Sequence, residues 1–388
     1  MKKNTLLTLL IAMCSGLMAQ TSWIGQSTEM NYIATGMPIL LIAPDAVSSG
    51  MGDVGVATTP DAYSAHWNNA KFAFIDGTMG LSTTFTPWLR NLKVGDMNLL
   101  YLGGYYRINS RSTAAASLTY FSLGDIDMRD IEGNYVTDLH PNEFAIDATY
   151  SLKITDNLSL GATGRFVRSD LTNGQTISDG GGHSETQPAN SLAADLGVYY
   201  QTAVSKNEEI ALGAFISNLG AKLRYSEDNN TQEFLPANLR VGGRYTQRID
   251  DYNKISVVAD INKLLVPTPR YRSDSTQSLS TYNNIGVMAG ALQSFGDAPG
   301  GFGEELQELQ LSAGAEYWYA ETFAVRAGYF FEHKNKGGRQ YATVGFGLRY
   351  NLFSFDFSYL VPTAKLSTNP LSNTIRITLS VDFKPEKQ

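Results

Sequence analysis

Along most of this chain apolar and polar residues alternate one for one. The clearest case is near the C-terminal end, where Ile375, Ile377, Leu379, Val381 and Phe383 interleave with Arg376, Thr378, Ser380 and Asp382. Side chains of a strand point alternately to opposite faces, so this segment offers one face to an apolar medium and the other to water. The same period runs through Phe353, Phe355, Phe357 and Tyr359, and through Phe323, Val325, Ala327, Tyr329 and Phe331. It predicts strands at 79–86, 98–109, 112–122, 143–152, 157–168, 191–202 and 208–218. The series continues at 238–248, 254–264, 308–319, 322–332, 340–350, 353–361 and 373–383, fourteen in all.

The connections alternate in length. Long ones at 87–97, 123–142, 169–190, 219–237, 265–307, 333–339 and 362–372 are separated by short turns such as Ser110-Arg111, Ala320-Glu321 and Asn351-Leu352. Short periplasmic turns and longer external loops are the mark of a bacterial outer-membrane barrel, and a β-sandwich has no reason to keep this parity. An even strand count also places both chain ends in the periplasm. One segment departs from the period. In 284–295, Ile285, Met288, Ala289, Leu292 and Phe295 recur at helical spacing, with Asn284 as an N-cap. It reads as a helix in the longest external loop, followed by a turn at Asp297–Phe302. The expected fold is all-β: a 14-stranded antiparallel transmembrane barrel with an N-terminal plug and a short helix in a long extracellular loop.

Composition narrows the setting. The chain has 36 Gly, 21 Tyr and 18 Phe, and only 17% of its residues are charged. After the first twenty residues no apolar run approaches the ~18 residues of a spanning helix. A net charge of −7 offers no basic face for nucleic acid. Residues 1–19 read as a signal peptide, with Lys2 and Lys3, an apolar core at Leu6–Met13, and Ala19 before the cleavage point at Gln20. The only cysteine, Cys14, lies inside it, and Met13 is too bulky for a lipoprotein site. The mature chain then has no thiol chemistry and no disulfide. Tyr317, Tyr319, Tyr350, Phe353 and Tyr359 near strand ends suit interfacial girdles. The inward face carries Arg240, Arg244, Arg248, Arg326, Arg349 and Arg376 with Asp147, Asp195, Asp260, Glu316, Asp356 and Asp382. Both signs are interspersed, which predicts cross-strand pairing rather than a single-sign conduction stripe.

Residues 20–78 precede the barrel of 79–388 and lack strand alternation until late. The run from Pro44 to Asp61 is too apolar and too glycine-punctuated for a solvated tail. Irregular backbone at membrane depth is tolerated only when protein encloses it, which predicts a lumen plug. Its glycines do not form a phosphate loop, since no helix of an α/β unit follows.

The string Gly50-Met51-Gly52-Asp53-Val54-Gly55-Val56-Ala57, with Asp61-Ala62 and His66-Trp67-Asn68-Asn69-Ala70, resembles the hatch of the FadL family of outer-membrane transporters. That family carries Asn-Pro-Ala near the end of its hatch, and Asn69 stands here in place of the proline. Lys71-Phe72-Ala73-Phe74, Ser294-Phe295 and Asp297-Ala298-Pro299-Gly300-Gly301-Phe302 are similar to the branch of that family that serves type IX secretion in Bacteroidetes. The resemblance covers essentially the whole mature chain. It implies a carrier without catalytic centre or cofactor. Its partners would be outer-membrane lipid and lipopolysaccharide, the C-terminal domains of secreted cargo, a large translocon barrel and a surface sortase-type attachment complex.

Under that resemblance the external loops are the working surface. Trp88, Leu89, Phe295 and Phe302 are apolar residues in those loops and candidate interface anchors, with packing of loop against loop as the alternative. Transport of hydrophobic small molecules is the second reading, with Gly103-Gly104 and Gly242-Gly243 as possible kinks. An enzyme is not expected. His66, His140, His183 and His333 lie in the plug or external loops, none at strand spacing with a serine or at metal-ligand spacing with another histidine.

Overall fold

Strands with apolar outward rows leave no unpaired edge in a membrane only when the sheet closes on itself. The computed structural model describes residues 31–88, 96–129, 132–172, 177–178, 185–226, 232–269, 282–363 and 374–383, and its sheet does close. The wall begins with β1 (Met79–Pro87), β2 (Asn98–Arg107) and β3 (Ser112–Ser122). A hairpin, β4 (Ile126–Arg129) and β5 (Tyr135–Leu139), follows in a long loop. The wall resumes with β6 (Asn142–Lys153) and β7 (Leu158–Asp170), then a small hairpin, β8 (Ile177–Ser178) and β9 (Glu185–Thr186). Next come β10 (Ala189–Ser205) and β11 (Glu208–Gly220), and a third hairpin, β12 (Leu223–Arg224) and β13 (Gln232–Glu233). The wall then runs through β14 (Asn238–Arg248), β15 (Asn253–Leu264), β16 (Gln310–Tyr319) and β17 (Phe323–Phe331). It ends with β18 (Gln340–Tyr350), β19 (Phe353–Pro362) and β20 (Ile375–Phe383).

Every wall strand pairs antiparallel with its neighbours, and β20 returns to β1 with Leu379 opposite Thr83. Fourteen strands form the barrel, with ends within three residues of those expected from alternation. Outward rows are apolar and exposed, as at Leu81, Leu160, Leu196, Val257 and Leu379. Inward rows are polar and buried, as at Ser82, Thr84, Thr163, Ser256 and Thr378. This is an outer-membrane barrel, whose lumen rather than whose outer face is the protected interior.

The plug threads that lumen. It contains helices α1 (Ala46–Ser49) and α2 (Ser64–Trp67), with 3₁₀ turns at Pro38–Leu41 and Asn69–Phe74. Asp45 caps α1 by accepting the Ser48 amide at 2.7 Å and also accepts the Trp67 indole N–H at 2.6 Å.

Two sequence expectations change. The loop helix α3 spans Val287–Gln293 and its N-cap is Gly286, with no side-chain cap, so Asn284 does not start it. The expected turn at 297–302 leads into a further helix, α4 (Phe302–Gln307), whose first turn holds Glu304 and Glu305 where the helix dipole favours them. The described ends lie at opposite ends of the barrel. Phe383 sits at the turn end beside Thr78, whereas Asn31 sits at the loop end, its amide donating to the Asn335 carbonyl at 3.0 Å. Residues 1–30, including the signal segment, lie outside the described residues.

Candidate functional site

The lumen is layered. At the loop end Met37, Ile39 and Leu40 pack with Trp88, Leu99, Phe121, Val167, Leu223 and Leu235 into an apolar core. Below it the plug lies directly on the barrel wall. A Cβ at Gly161, Gly213, Gly314 or Gly328 would overlap the plug backbone at Ala70, Val56 or Met51. At the turn end a cavity of about 600 Å³ remains, lined by charged residues including Asp76, Lys206, Arg248, Glu321 and Asp382.

The hatch string supplies the plug's attachments. Gly52 has φ 77° and sits against the backbone of Tyr329, so both its conformation and its space exclude a side chain. Gly52 N donates to Thr343 Oγ1 at 2.8 Å. Gly50 abuts Gly345, and Gly55 lies flat on the Trp67 ring. Asp61 accepts from the Tyr63 amide and the Ser64 hydroxyl in the turn that leads into α2. Asn68 Nδ2 bridges the carbonyls of Val56 and Val198. Asn69 Nδ2 donates to Thr163 Oγ1 at 2.9 Å and to the Asp195 carbonyl at 3.3 Å, bonds that a proline could not make.

The inward charges serve the same structure. Arg326 joins Glu316 at 2.7 Å and Asp356 at 2.6 Å. Arg376 Nε donates to the plug carbonyl of Ala43 at 3.0 Å, and Arg240 stacks over Trp67. Arg165, absent from the arginines singled out in the sequence, ties Asp147 at 2.7 Å to Asp195 at 3.1 Å. Its place in the inward row of β7 with Ser159, Gly161 and Thr163 was the signal that could have found it.

At the mouth, α4 is bolted down by its acidic face. Lys336 Nζ lies 2.5 Å from Glu304 and 3.0 Å from Glu308, and Lys263 Nζ lies 3.0 Å from Glu305 and 2.7 Å from Glu308. Asn31 Nδ2 also donates to Glu304 at 3.1 Å. Burial works against the Glu304 charge, but the Lys336 ammonium and the Gly300 amide outweigh it and hold its carboxyl below the ordinary glutamate range. The opposite face of α4 presents Phe302 and Leu306, 63% and 52% exposed.

The four candidate anchors therefore separate. Phe295 and Phe302 are exposed. Trp88 takes the packing alternative: it is only 7% exposed and meets Phe121 edge-on, in one cluster with Met37, Ile39 and Leu40. Leu89 lies outside the described residues, as does His183. His66 is enclosed beside Trp67, His140 pairs with the exposed Asp125 at 2.6 Å, and His333 caps Asn335. Among the described residues no group of three or more His, Cys, Asp or Glu is placed to hold a metal.

A family model described as type IX secretion system protein PorV matches residues 25–271, more than half of the chain. The chain belongs to the PorV family. No curated protein matches it in sequence. Its fold is similar to the toluene transporter TbuX of Ralstonia pickettii, with TM-score 0.51, 14% identity, and 88% of this chain and 99% of that one covered. The CymD monoaromatic hydrocarbon channel gives TM-score 0.52 at 13% identity over 89% of this chain and 99% of that one. The P. putida toluene transporter TodX gives 0.51 at 12% identity over 89% and 100%. This chain is thus an outer-membrane barrel of the PorV family, and these transporters share its fold.

Proposed function

We propose that this PorV-family barrel is a cargo carrier of type IX secretion. In this reading its loop end binds the C-terminal domain of a secreted protein, receives it from the translocon barrel and conveys it to the attachment complex that joins it to lipopolysaccharide. The observation that carries the reading is the contrast between a filled lumen and an apolar, anchored mouth. The plug touches the wall at backbone distance, and an apolar core around Trp88 packs against it at the loop end. Phe302 and Leu306 meanwhile stand in the open on a helix held by Lys263 and Lys336. A rigid apolar pair beside a charged surround is what a protein partner buries as a hot spot.

Transport of hydrophobic small molecules has one observation in its favour. A cavity of about 400 Å³ at the loop end is lined by Tyr32, Ile33, Pro38 and Leu41 on one side and by Glu308 and Arg339 on the other. The deciding test is affinity capture of the tagged full-length protein from gently solubilised native outer membranes, followed by mass spectrometry. Co-purification of a giant barrel and of secreted proteins sharing a C-terminal domain supports the carrier. Recovery of the barrel alone with bound apolar molecules overturns it in favour of transport.

A further inference from the structure

Helix α3 lies on the outside of the barrel. Its Ala291 packs with Ala237, Leu265, Ile216, Leu219 and Leu239. Ile216 belongs to the outward row of β11 that includes the exposed Leu212, and Leu239 to the outward row of β14 that includes the exposed Val241. In a membrane barrel those rows face lipid. β11 ends at Gly220 and β14 begins at Asn238, so α3 rests on the lipid-facing wall at its loop end. The contact is close, since a Cβ on Gly290 would stand 2.9 Å from the Pro267 ring.

The face turned away from the wall is apolar too. Met288 and Leu292 follow at i and i+4 on α3, Phe295 lies just beyond its C-terminal end, and the three are 61%, 71% and 49% exposed. No charged residue occurs from Tyr282 to Gly296. The first charge after it, Asp297, accepts the amide of Thr268 at 3.0 Å. A loop helix surrounded by water normally carries charge on its outer face. This one continues the apolar surface of Leu212 and Val241, and the nearest cation to its stripe, Lys263, stands 5.9 Å over the Phe295 ring at the end toward α4.

We propose that α3 is a membrane-interface anchor, with Met288, Leu292 and Phe295 seated among the acyl chains and headgroups of the outer leaflet. The occupant is lipid because the stripe continues the surface that already faces lipid. Through the turn at Ser294–Gly301 the anchor sets the height of α4, and with it the mouth, above the bilayer.

The test uses the full-length protein refolded into liposomes that contain no other protein. Single Leu292→Cys and Met288→Cys variants carry an environment-sensitive fluorophore, with Val241→Cys as the lipid-facing reference and Phe302→Cys as the mouth reference. Nitroxide lipids labelled near the headgroup are expected to quench the labels at 288 and 292 at least threefold more than the label at 302. Aqueous iodide is expected to quench them correspondingly less. Equal iodide quenching at 288, 292 and 302 in pure lipid overturns the anchor. So does protection at 288 and 292 that arises only in native membranes, because it would make a protein the occupant. Two labelled sites guard against one variant failing to fold, and heat-modifiable gel migration reports folding for each.

Discussion

The amide of Gly55 in the plug donates to the carboxylate of Asp260 on β15 at 2.6 Å, and Val56 N shares the same oxygen at 3.0 Å. A charge that the sequence placed on the inward face is thus spent on holding the plug rather than on lining a path through the barrel. The Arg376 bond to Ala43 and the Asn69 bond to Thr163 repeat this on other strands. Together they make the plug a built-in part of the barrel interior.

If the plug is permanent, wall glycines that touch it cannot be enlarged. Gly328→Val is expected to lower stability by about 1–3 kcal/mol, the usual range for overpacking. Its Cβ would meet the Met51–Gly52 peptide, whereas a Cβ at Gly164 on β7 meets nothing within 4 Å. Gly164→Ala should therefore be near neutral. Urea unfolding in micelles checks the pair, and equal midpoints for both variants would count against a seated plug.

Arg165 is buried between Asp147 and Asp195, which are themselves buried. Arg165→Met leaves two carboxylates without their cation and should cost about 3–5 kcal/mol. Adding Asp147→Asn and Asp195→Asn removes the stranded charges and should recover most of that loss. The comparison is made by denaturant unfolding at neutral pH. A single variant within about 1 kcal/mol of the parent would show that water reaches the pair.

The barrel was legible in the sequence because its physical cause is local. Residues 340–350 alternate, and β18 runs from Gln340 to Tyr350. The plug's route was not legible, because no period marks it. Met37, Ile39 and Leu40 reach Trp88 only through the fold, so the sequence left open whether this loop tryptophan is an anchor or core. Helix α4 was missed because the residues from Glu304 to Leu309 run straight into the alternation of the next strand. Asn69 departs from the hatch pattern of the FadL family, and only the structure supplies the reason, a side-chain bond to Thr163.

Acid should release α4. The Glu304 carboxyl is held below its ordinary value of 4.5, mainly by Lys336 acting against the burial penalty. A depressed carboxylate contributes stability that is fully present above the unfolded value and is lost as the pH falls through the lower, folded value. Amide exchange across 302–307, corrected for intrinsic rates, should therefore be slow at neutral pH and accelerate only below about 4.5. Glu304→Gln should weaken protection at neutral pH and flatten the acid response. An unchanged acid profile in that variant would place the switch elsewhere.

Trp88 and Phe302 were equivalent in the sequence and are opposites in the structure, which separates a stability variant from a binding variant. Trp88→Ala removes a buried ring from the apolar core at the loop end and should cost about 3–5 kcal/mol, read as a lower unfolding midpoint. Phe302→Ala with Leu306→Ala strips only exposed surface and should leave stability within about 0.5 kcal/mol. If the mouth receives cargo, that double variant should weaken capture of a cargo C-terminal domain by roughly tenfold or more, the scale of one or two hot-spot side chains. The measurement is titration of the purified domain against the folded barrel, with unfolding followed on the same samples. Undiminished capture by a fully folded double variant would remove α4 from the docking surface. Loss of capture in step with loss of folding would instead assign Phe302 and Leu306 a structural role.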